Sequence, residues 1–365
     1  MVEILSPLDI SDMARGAVFL GSGGGGDPYV GELFVRAQFD AGRMPKIVDV
    51  SDLPDDAFIV SIAGIGAPTV LVENLISERA LMDLVARAEA FYGRKIDALI
   101  SVEMGGVNSM FPLGLAARLG LPVIDGDGMG RAFPHLEMTS FSVNGSKASP
   151  LMLLDDLGSI ITIEMDSDRK TEEMARTNVV ALGALVNGAF YPMSGRAAKK
   201  TTVRGTITQT LVIGRIIREA RLASADPVTS LVDFLNNAPD ERQARLLFSG
   251  KIADVTHDTR DGWHWGQAVI QSAEGETMTV DIQNEYIVAR KGGRTVTVVP
   301  DIIAILDQES AEPLTAEMLR YGQRVAVVGY AAATVMRRPE GLAVFGPRNF
   351  RLDEDFVGVE ELVPA

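Results

Sequence analysis

The chain has 365 residues, of which 47% are hydrophobic and 23% charged, with 49 acidic against 34 basic residues and no cysteine. A net charge of −15 argues against nucleic acid or an anionic membrane as partner, because phosphates call for a basic face. The missing thiols exclude disulfides, thiolate metal sites and a cysteine nucleophile together.

The first segment, "MVEILSPLDISDMARG", has no basic start followed by an apolar core, so no signal peptide is expected. No apolar run reaches the roughly 18 residues of a membrane span. A cytoplasmic protein without a membrane partner is the expectation. "DISDMARGA" reads as helical and leads into "GSGGGGDPYVG", with four consecutive glycines at 23–26. Asp27 reads as an N-cap and Pro28 as the first helical residue. Val30, Leu33, Phe34, Ala37 and Ala41 then recur at helical spacing. Such a loop suits a tight turn, or backbone amides that hold an anion or polarised carbonyl at the positive end of a helix. Gly21, Gly23 and Gly26 also satisfy G-x-G-x-x-G, and Asp49 follows at the distance of a ribose-binding acid. A nucleotide-binding reading therefore stays open, although no long strand precedes the glycines.

From 46 onward, strand-like and helix-like segments alternate. Strands are expected at 46–50, 57–65, 96–104 and 122–128, and helices at 74–92 and 110–119. Strands that are apolar almost throughout imply a mostly parallel sheet flanked by helices. The ligand site of such a sheet lies beyond its C-terminal strand ends, where Glu103, Asp125 and Asp127 fall. A strand at 158–168 and helices at 169–188 and 206–223 follow. From Leu246 to about 350 the chain turns β-rich, with turns at "AEGE" and "KGG". The fold class is thus α/β with a β-rich C-terminal domain, an antiparallel sheet or barrel-like unit. The division is 1–165 for the glycine-loop domain and 166–365 for two helices and the β-rich part.

Four constellations can carry chemistry. The glycine loop with Asp27 is the first. In "SVEMGGVNSM", Glu103 at a strand end beside glycines suits a general base or a metal ligand, or else caps the next helix. "IDGDGMGRAFPHLEM" holds Asp125, Asp127, Arg131, His135 and Glu137. Two acids placed two apart on a strand share a face and would bind a metal or shift each other's pKa. "THDTRDGWHWGQAVI" holds His257 and His264 with both tryptophans. Trp263 and Trp265 would share one face with His264 opposite, which suits either a flat heterocycle or plain packing. Asp301 after Pro300, and Asn284 with Glu285 in "NEYIVA", are isolated signals. No G-x-S-x-G, H-E-x-x-H or P-loop lysine occurs.

The runs "GSGGGGDPYVG", "EMGGVNS", "DGDGMGRAFPHLEM" and "GPRNF" resemble the S-methyl thiohydantoin desulfurase family, from near residue 7 to about 355. That family is often encoded beside hydantoinase/oxoprolinase enzymes. The resemblance implies a hydrolase: water attacks the carbon bearing the methylthio group of a five-membered ring, methanethiol leaves and a hydantoin remains. It implies a small heterocyclic substrate, hydantoinase/oxoprolinase subunits as partners, and a homo-oligomer. The residues expected to act are Asp127 or Glu103 as base with Asp125 as its companion. Gly23, Gly24, Gly25, Gly26, Asp27, Asn108, Arg131, His135 and His264 would bind the substrate. A divalent metal, if used, would sit on Glu103, Asp125 and Asp127. The alternatives are an accessory, ligand-binding partner of a hydantoinase/oxoprolinase-type enzyme and a nucleotide-binding protein.

Overall fold

The computed structural model describes residues 6–66, 77–239, 242–260 and 263–364. Its first nine strands are β1 (Lys46–Val48), β2 (Phe58–Gly66), β3 (Ala98–Ile100), β4 (Pro122–Ile124), β5 (Gly126–Asp127), β6 (Leu151–Leu154), β7 (Ile160–Ile163), β8 (Leu185–Ser194) and β9 (Val203–Arg204). Seven form one sheet in the order β1-β4-β3-β2-β8-β6-β7, and β5 pairs with β9 as a separate ribbon. β1, β4, β3 and β2 are mutually parallel. β8 and β7 run against them and β6 with them, so five of the seven strands point one way. Successive residues of β2 serve opposite cores. Ile59 and Ala63 pack on one side, Val60 and Ile62 on the other. That two-sided burial is why these strands read as continuous apolar runs rather than alternating ones.

The remaining strands are β10 (Ala244–Arg260), β11 (Trp263–Gln271), β12 (Thr277–Gln283), β13 (Glu285–Lys291), β14 (Arg294–Val298), β15 (Ile302–Asp307), β16 (Pro313–Leu314) and β17 (Arg324–Tyr330). They make an eight-stranded sheet in the order β14-β13-β12-β11-β10-β17-β15-β16, antiparallel throughout. β14 and β16 are its two ends, so it is an open sheet and not a barrel.

The helices differ from the sequence expectation in bounds more than in existence. The expected helix at 74–92 is observed as Glu78–Tyr92, with the Ser77 hydroxyl accepting from the Ala80 amide; residues 74–76 lie outside the described ones. The expected helix at 169–188 stops at Ala181. Ala184 then takes a positive φ of 68°, and Leu185 opens β8. Gly183 carried the stop signal. The strand that follows, apolar on both faces, could not be told from helix by periodicity. β8 is the hinge of the architecture, because it carries the chain from the Asp168–Ala181 helix back into the first sheet between β2 and β6.

Ser6 caps the Pro7–Gly21 helix, with Pro7 in its first turn. This helix crosses the Thr206–Leu222 helix at two glycines. A Cβ at Gly16 would stand 1.8 Å from the Thr210 carbonyl oxygen, and one at Gly214 1.8 Å from that of Asp12. Fully buried Asp12 is held at the same crossing by Arg218 at 2.9 Å and Arg15 at 2.9 Å. Only glycine permits that approach, so either Gly16→Ala or Gly214→Ala should destabilise the protein by about 1–3 kcal/mol, the cost of overpacking a close contact. A lowered denaturant midpoint with an unchanged slope would show it; an unchanged midpoint would mean that the helices separate freely.

Candidate functional site

The glycine loop joins two helices, Pro7–Gly21 and Tyr29–Asp40. No strand feeds it, so the strand–glycine–helix unit of a dinucleotide fold is missing here. Asp49 caps the short Val50–Asp52 turn by accepting from the Ser51 amide. The Tyr29 helix starts one residue later than expected, yet Asp27 accepts from the Tyr29 amide at 2.9 Å. Asp27 itself is exposed and away from the cavity described below.

Bare backbone is needed because both halves of the protein close on this loop. Gly23, Gly25 and Gly26 have φ values of 86°, 76° and 72°, which side chains rarely adopt. A Cβ at Gly23 would meet the Tyr286 ring at 2.6 Å, one at Gly24 the Glu285 carboxyl at 2.3 Å, and one at Gly25 the Gly105 carbonyl at 2.6 Å. The loop is stitched down by the Val107 amide on the Gly25 carbonyl at 3.0 Å and the Ala316 amide on that of Gly23 at 2.8 Å. Ser22 exchanges two hydrogen bonds with Ile303 of β15, each 3.0 Å.

Beside this contact lies a cavity of about 620 Å³ between the two sheets. Its lining includes Gly24, Gly25, Glu103, Asn108, His135, His264 and Glu285, with Phe111, Phe133, Phe190 and Tyr321 as aromatic walls. Trp265 is not among the lining residues, and the Trp263 side chain lies outside the described ones. Gly23, Gly26 and Asp27 also lie off the lining. The Gly24 amide is committed to the Gly21 carbonyl at 2.9 Å, and Gly24 and Gly25 are the loop glycines on the lining.

Glu103 follows β3 and is 8% exposed. Asn108 orients it: the carboxamide Nδ2 donates to Glu103 Oε1 at 2.8 Å, while its Oδ1 accepts from the Gly64 amide at 2.8 Å. Burial drives the Glu103 pKa up to about 8, with the nearby Asp127 charge adding to it and the Asn108 bond opposing it. Glu285 opens β13 at 4% exposure, and its Oε2 has no hydrogen-bond partner among the described residues. Burial lifts its pKa to about 8; Arg131 opposes this, and the charges of Glu103 and Glu317 add to it. One carboxyl from the loop after β3 and one from β13 therefore share a cavity, and the Glu103 charge disfavours ionisation of Glu285.

Asp127 and Asp125 do not join them. A bend at Asp125 separates β4 from β5, so the two acids part instead of sharing a face. Asp125 accepts from the Thr208 amide at 3.0 Å and the Thr208 hydroxyl at 2.5 Å, capping the Thr206–Leu222 helix. Asp127 is fully buried and off the cavity lining. Its Oδ2 accepts from the Met129 and Gly130 amides at 3.1 and 2.7 Å, and burial raises its pKa to about 7. Among the described residues, no three histidine or acidic side chains converge in a way that could hold a metal ion. Glu103, Asp125 and Asp127 are thus not a ligand set.

Arg131, 1% exposed, sits behind the cavity. It donates to the carbonyls of Pro300 at 3.0 Å and Asp301 at 2.8 Å and joins the two sheets. Burial lowers its pKa to about 10, with Glu285 and Asp301 opposing that fall. Asp301, the isolated acid of the sequence, is fully buried and clasped by Arg337 at 2.7 Å. His135 lines the cavity, with Nδ1 3.5 Å from Glu172. His264 Nε2 stands 2.9 Å from His257 Nδ1. Asn284, with a positive φ of 59°, accepts from the His264 amide at 2.9 Å. Burial lowers the His264 pKa, and His257 adds to that. Glu285 is the residue that sequence reasoning undervalued. Its signal was a lone carboxylate ahead of the apolar run "YIVA".

Fold and cavity define a two-sheet protein whose buried acids meet across the interface of its halves. The chain matches the S-Me-THD-like, N-terminal domain over residues 8–165 and the S-Me-THD-like, C-terminal domain over residues 166–359. It belongs to the S-Me-THD-like family, that of the S-methyl thiohydantoin desulfurases. A crystal structure of a protein from Chromobacterium violaceum shares the fold, with a TM-score of 0.82 and 24% identity over 97% of this chain and 99% of that one. No curated protein matches the chain. No helix among the described residues is long and apolar enough to cross a membrane.

The raised carboxyl pKa values have a consequence for stability. Glu103 and Glu285 titrate near 8 when folded but near 4.3 when unfolded, so the native state binds more protons over that interval. Their contribution is complete below pH 4 and is lost as pH rises through 8. The melting temperature should fall from pH 7 to pH 9, and fall less in Glu285→Gln. A flat profile in the wild type would show that the carboxyls are already ionised at pH 7.

Proposed function

We propose that the chain hydrolyses a hydantoin-like five-membered heterocycle and removes the methylthio group of an S-methyl thiohydantoin, with Glu103 and Glu285 as its acid–base pair. The observation that carries this reading is the placement of two buried, protonatable carboxyls on one largely apolar cavity. Two such groups with pKa values near neutrality can hold one proton between them, which suits one for acid and the other for base work.

The protonated carboxyl donates to the ring nitrogen of the C(SCH3)=N unit and makes its carbon more electrophilic. The ionised carboxyl takes a proton from water as the oxygen bonds to that carbon. In the tetrahedral adduct the new hydroxyl gives its proton to the carboxylate that had protonated the ring nitrogen, the C=O bond forms and the C–S bond breaks. Methanethiolate leaves with the proton that the other carboxyl had taken from water, so water and substrate become a hydantoin and methanethiol and both carboxyls return to their starting states. The Gly25 amide is a fixed donor for charge that develops on ring oxygen or nitrogen. Asn108 holds Glu103 in one rotamer by anchoring to the backbone of Gly64. Arg131 acts through Glu285 as a positioning charge. Asp127 supports the turn behind Glu103.

Purified chain given an S-methyl thiohydantoin should release free thiol without a second protein; no thiol would transfer the chemistry to a partner and favour an accessory role. Glu103→Gln and Glu285→Gln should each lower kcat/KM about 100-fold or more, the usual worth of a general acid or base, while the fold is retained. The pH profile should be bell-shaped, its two limbs belonging to the pair and not to either residue. Full activity in both variants would place the chemistry elsewhere.

A further inference from the structure

A line of alternating charges runs from the cavity to the C-terminal segment. Glu285 stands on the lining, with Arg131 behind it. The hydrogen bonds of Arg131 among the described residues all go to main-chain carbonyls: Ala132 at 3.0 Å, Pro300 at 3.0 Å, Asp301 at 2.8 Å and Tyr286 at 3.5 Å. Its charge is therefore shared between the two acids that face it, Glu285 and Asp301.

Asp301 is the junction of this line. Its main-chain carbonyl holds Arg131, while its carboxylate accepts from the Ala332 and Val359 amides, each at 2.9 Å, and from Arg337 through two nitrogens at 2.8 and 2.7 Å. Arg337 in turn donates to both Glu360 oxygens, at 2.7 and 2.8 Å, and lies 5.3 Å from the centre of the Phe356 ring. Glu285, Arg131 and Asp301 are all buried, where charges are little screened. Two acids thus compete for Arg131. Arg337 decides between them, because a carboxylate already paired with one guanidinium draws less on a second.

We infer that Asp301 and Arg337 are positioning residues of the site: Arg337 neutralises Asp301, which leaves the charge of Arg131 to Glu285 and lets the C-terminal segment set how firmly Glu285 holds its proton. This inference rests on the reading of Glu285 as one of the acid–base pair. The other charges facing Glu285 are Glu103 after β3 and Glu317 in the Ala316–Met318 turn. His135, His257 and His264 stand on the same cavity.

The test uses the whole chain, isotope-labelled at its glutamate carboxyls and titrated by NMR, with Glu285 identified as the signal missing from Glu285→Gln. Asp301→Asn removes the competitor while Arg337 keeps Glu360, so the Glu285 midpoint should move down by about half a pH unit or more. Arg337→Met should move it up, because the Asp301 charge then bears on Arg131 alone. The double variant should return it towards the wild type. A purely structural role would lower the melting temperature in all three without this split in sign. Glu360→Gln keeps the test open should a buried variant fail to fold: its side chain is 29% exposed, and loss of its charge should move the midpoint in the Asp301→Asn direction. A midpoint unmoved by Asp301→Asn and Glu360→Gln alike, or moved the same way by Asp301→Asn and Arg337→Met, would overturn the inference. Thiol release is followed across pH in the same proteins. A limb of that profile moving with the carboxyl signal supports inference and reaction together. A moving signal with no thiol release upholds the inference and removes the reaction; thiol release with a fixed signal does the reverse.

Discussion

Everything at the site depends on one steric constraint: the main chain at residues 23–26 must come within contact of both sheets at once. Gly24 lies under the Glu285 carboxyl, Gly25 against Gly105, and Gly23 under the Tyr286 ring. A side chain at any of these would push β13 away from the segment after β3. Glu103 and Glu285 would then separate, water would enter, and both carboxyls would ionise at their ordinary values. The glycines are therefore less an anion cradle than a spacer of minimal thickness. It keeps two acids dry and facing one cavity.

Around that contact the two halves are tied by bonds to backbone groups, and farther along the first helix by ion pairs such as Arg15 with Glu312 at 3.1 Å. Ser22 bonds to both polar atoms of the Ile303 backbone, and Arg131 spends its donors on carbonyls of the second sheet. Such bonds are directional and, being buried, costly to leave unmade. They fix the register of β13 and β15 against the glycine loop. Asp125 and Asp127 belong to the same scaffolding. One caps the Thr206–Leu222 helix and the other closes the turn that leads to Arg131. The acid cluster of the sequence thus divides by burial and partner into two supports and one carboxyl, Glu103, that lines the cavity.

The electrostatic consequence is a cavity that keeps protons near neutrality. Burial is the largest cause for Asp127, Glu103 and Glu285 alike. The Asp127 charge adds to it at Glu103 and the charges of Glu103 and Glu317 add to it at Glu285, and Glu317 extends the row towards half-buried surface. Such a row is unfavourable to the fold at high pH and serviceable for acid–base chemistry, the trade expected where local rules are broken at a functional site.

Local sequence determined the elements. The glycine loop leading into a helix at Asp27 and Pro28, apolar runs buried on two faces, and the β-rich character after Leu246 were legible because their causes lie within a few residues. The family could also be read from short runs such as "GSGGGGDPYVG" and "DGDGMGRAFPHLEM", and Glu103, Asn108, His135 and His264 were named from the sequence and do line the cavity. Only the tertiary structure decided the rest. Glu285 lies 182 residues from Glu103 in the sequence, and no spacing rule links a strand of one sheet to a loop of the other. The bend at Asp125 depends on Thr208, on a helix 83 residues away, so the divergence of Asp125 from Asp127 could not be read from their spacing of two. β8 was hidden because a strand buried on both faces shows no period to distinguish it from a helix. Short-range chemistry wrote the parts of this protein, and long-range packing chose which acids would meet.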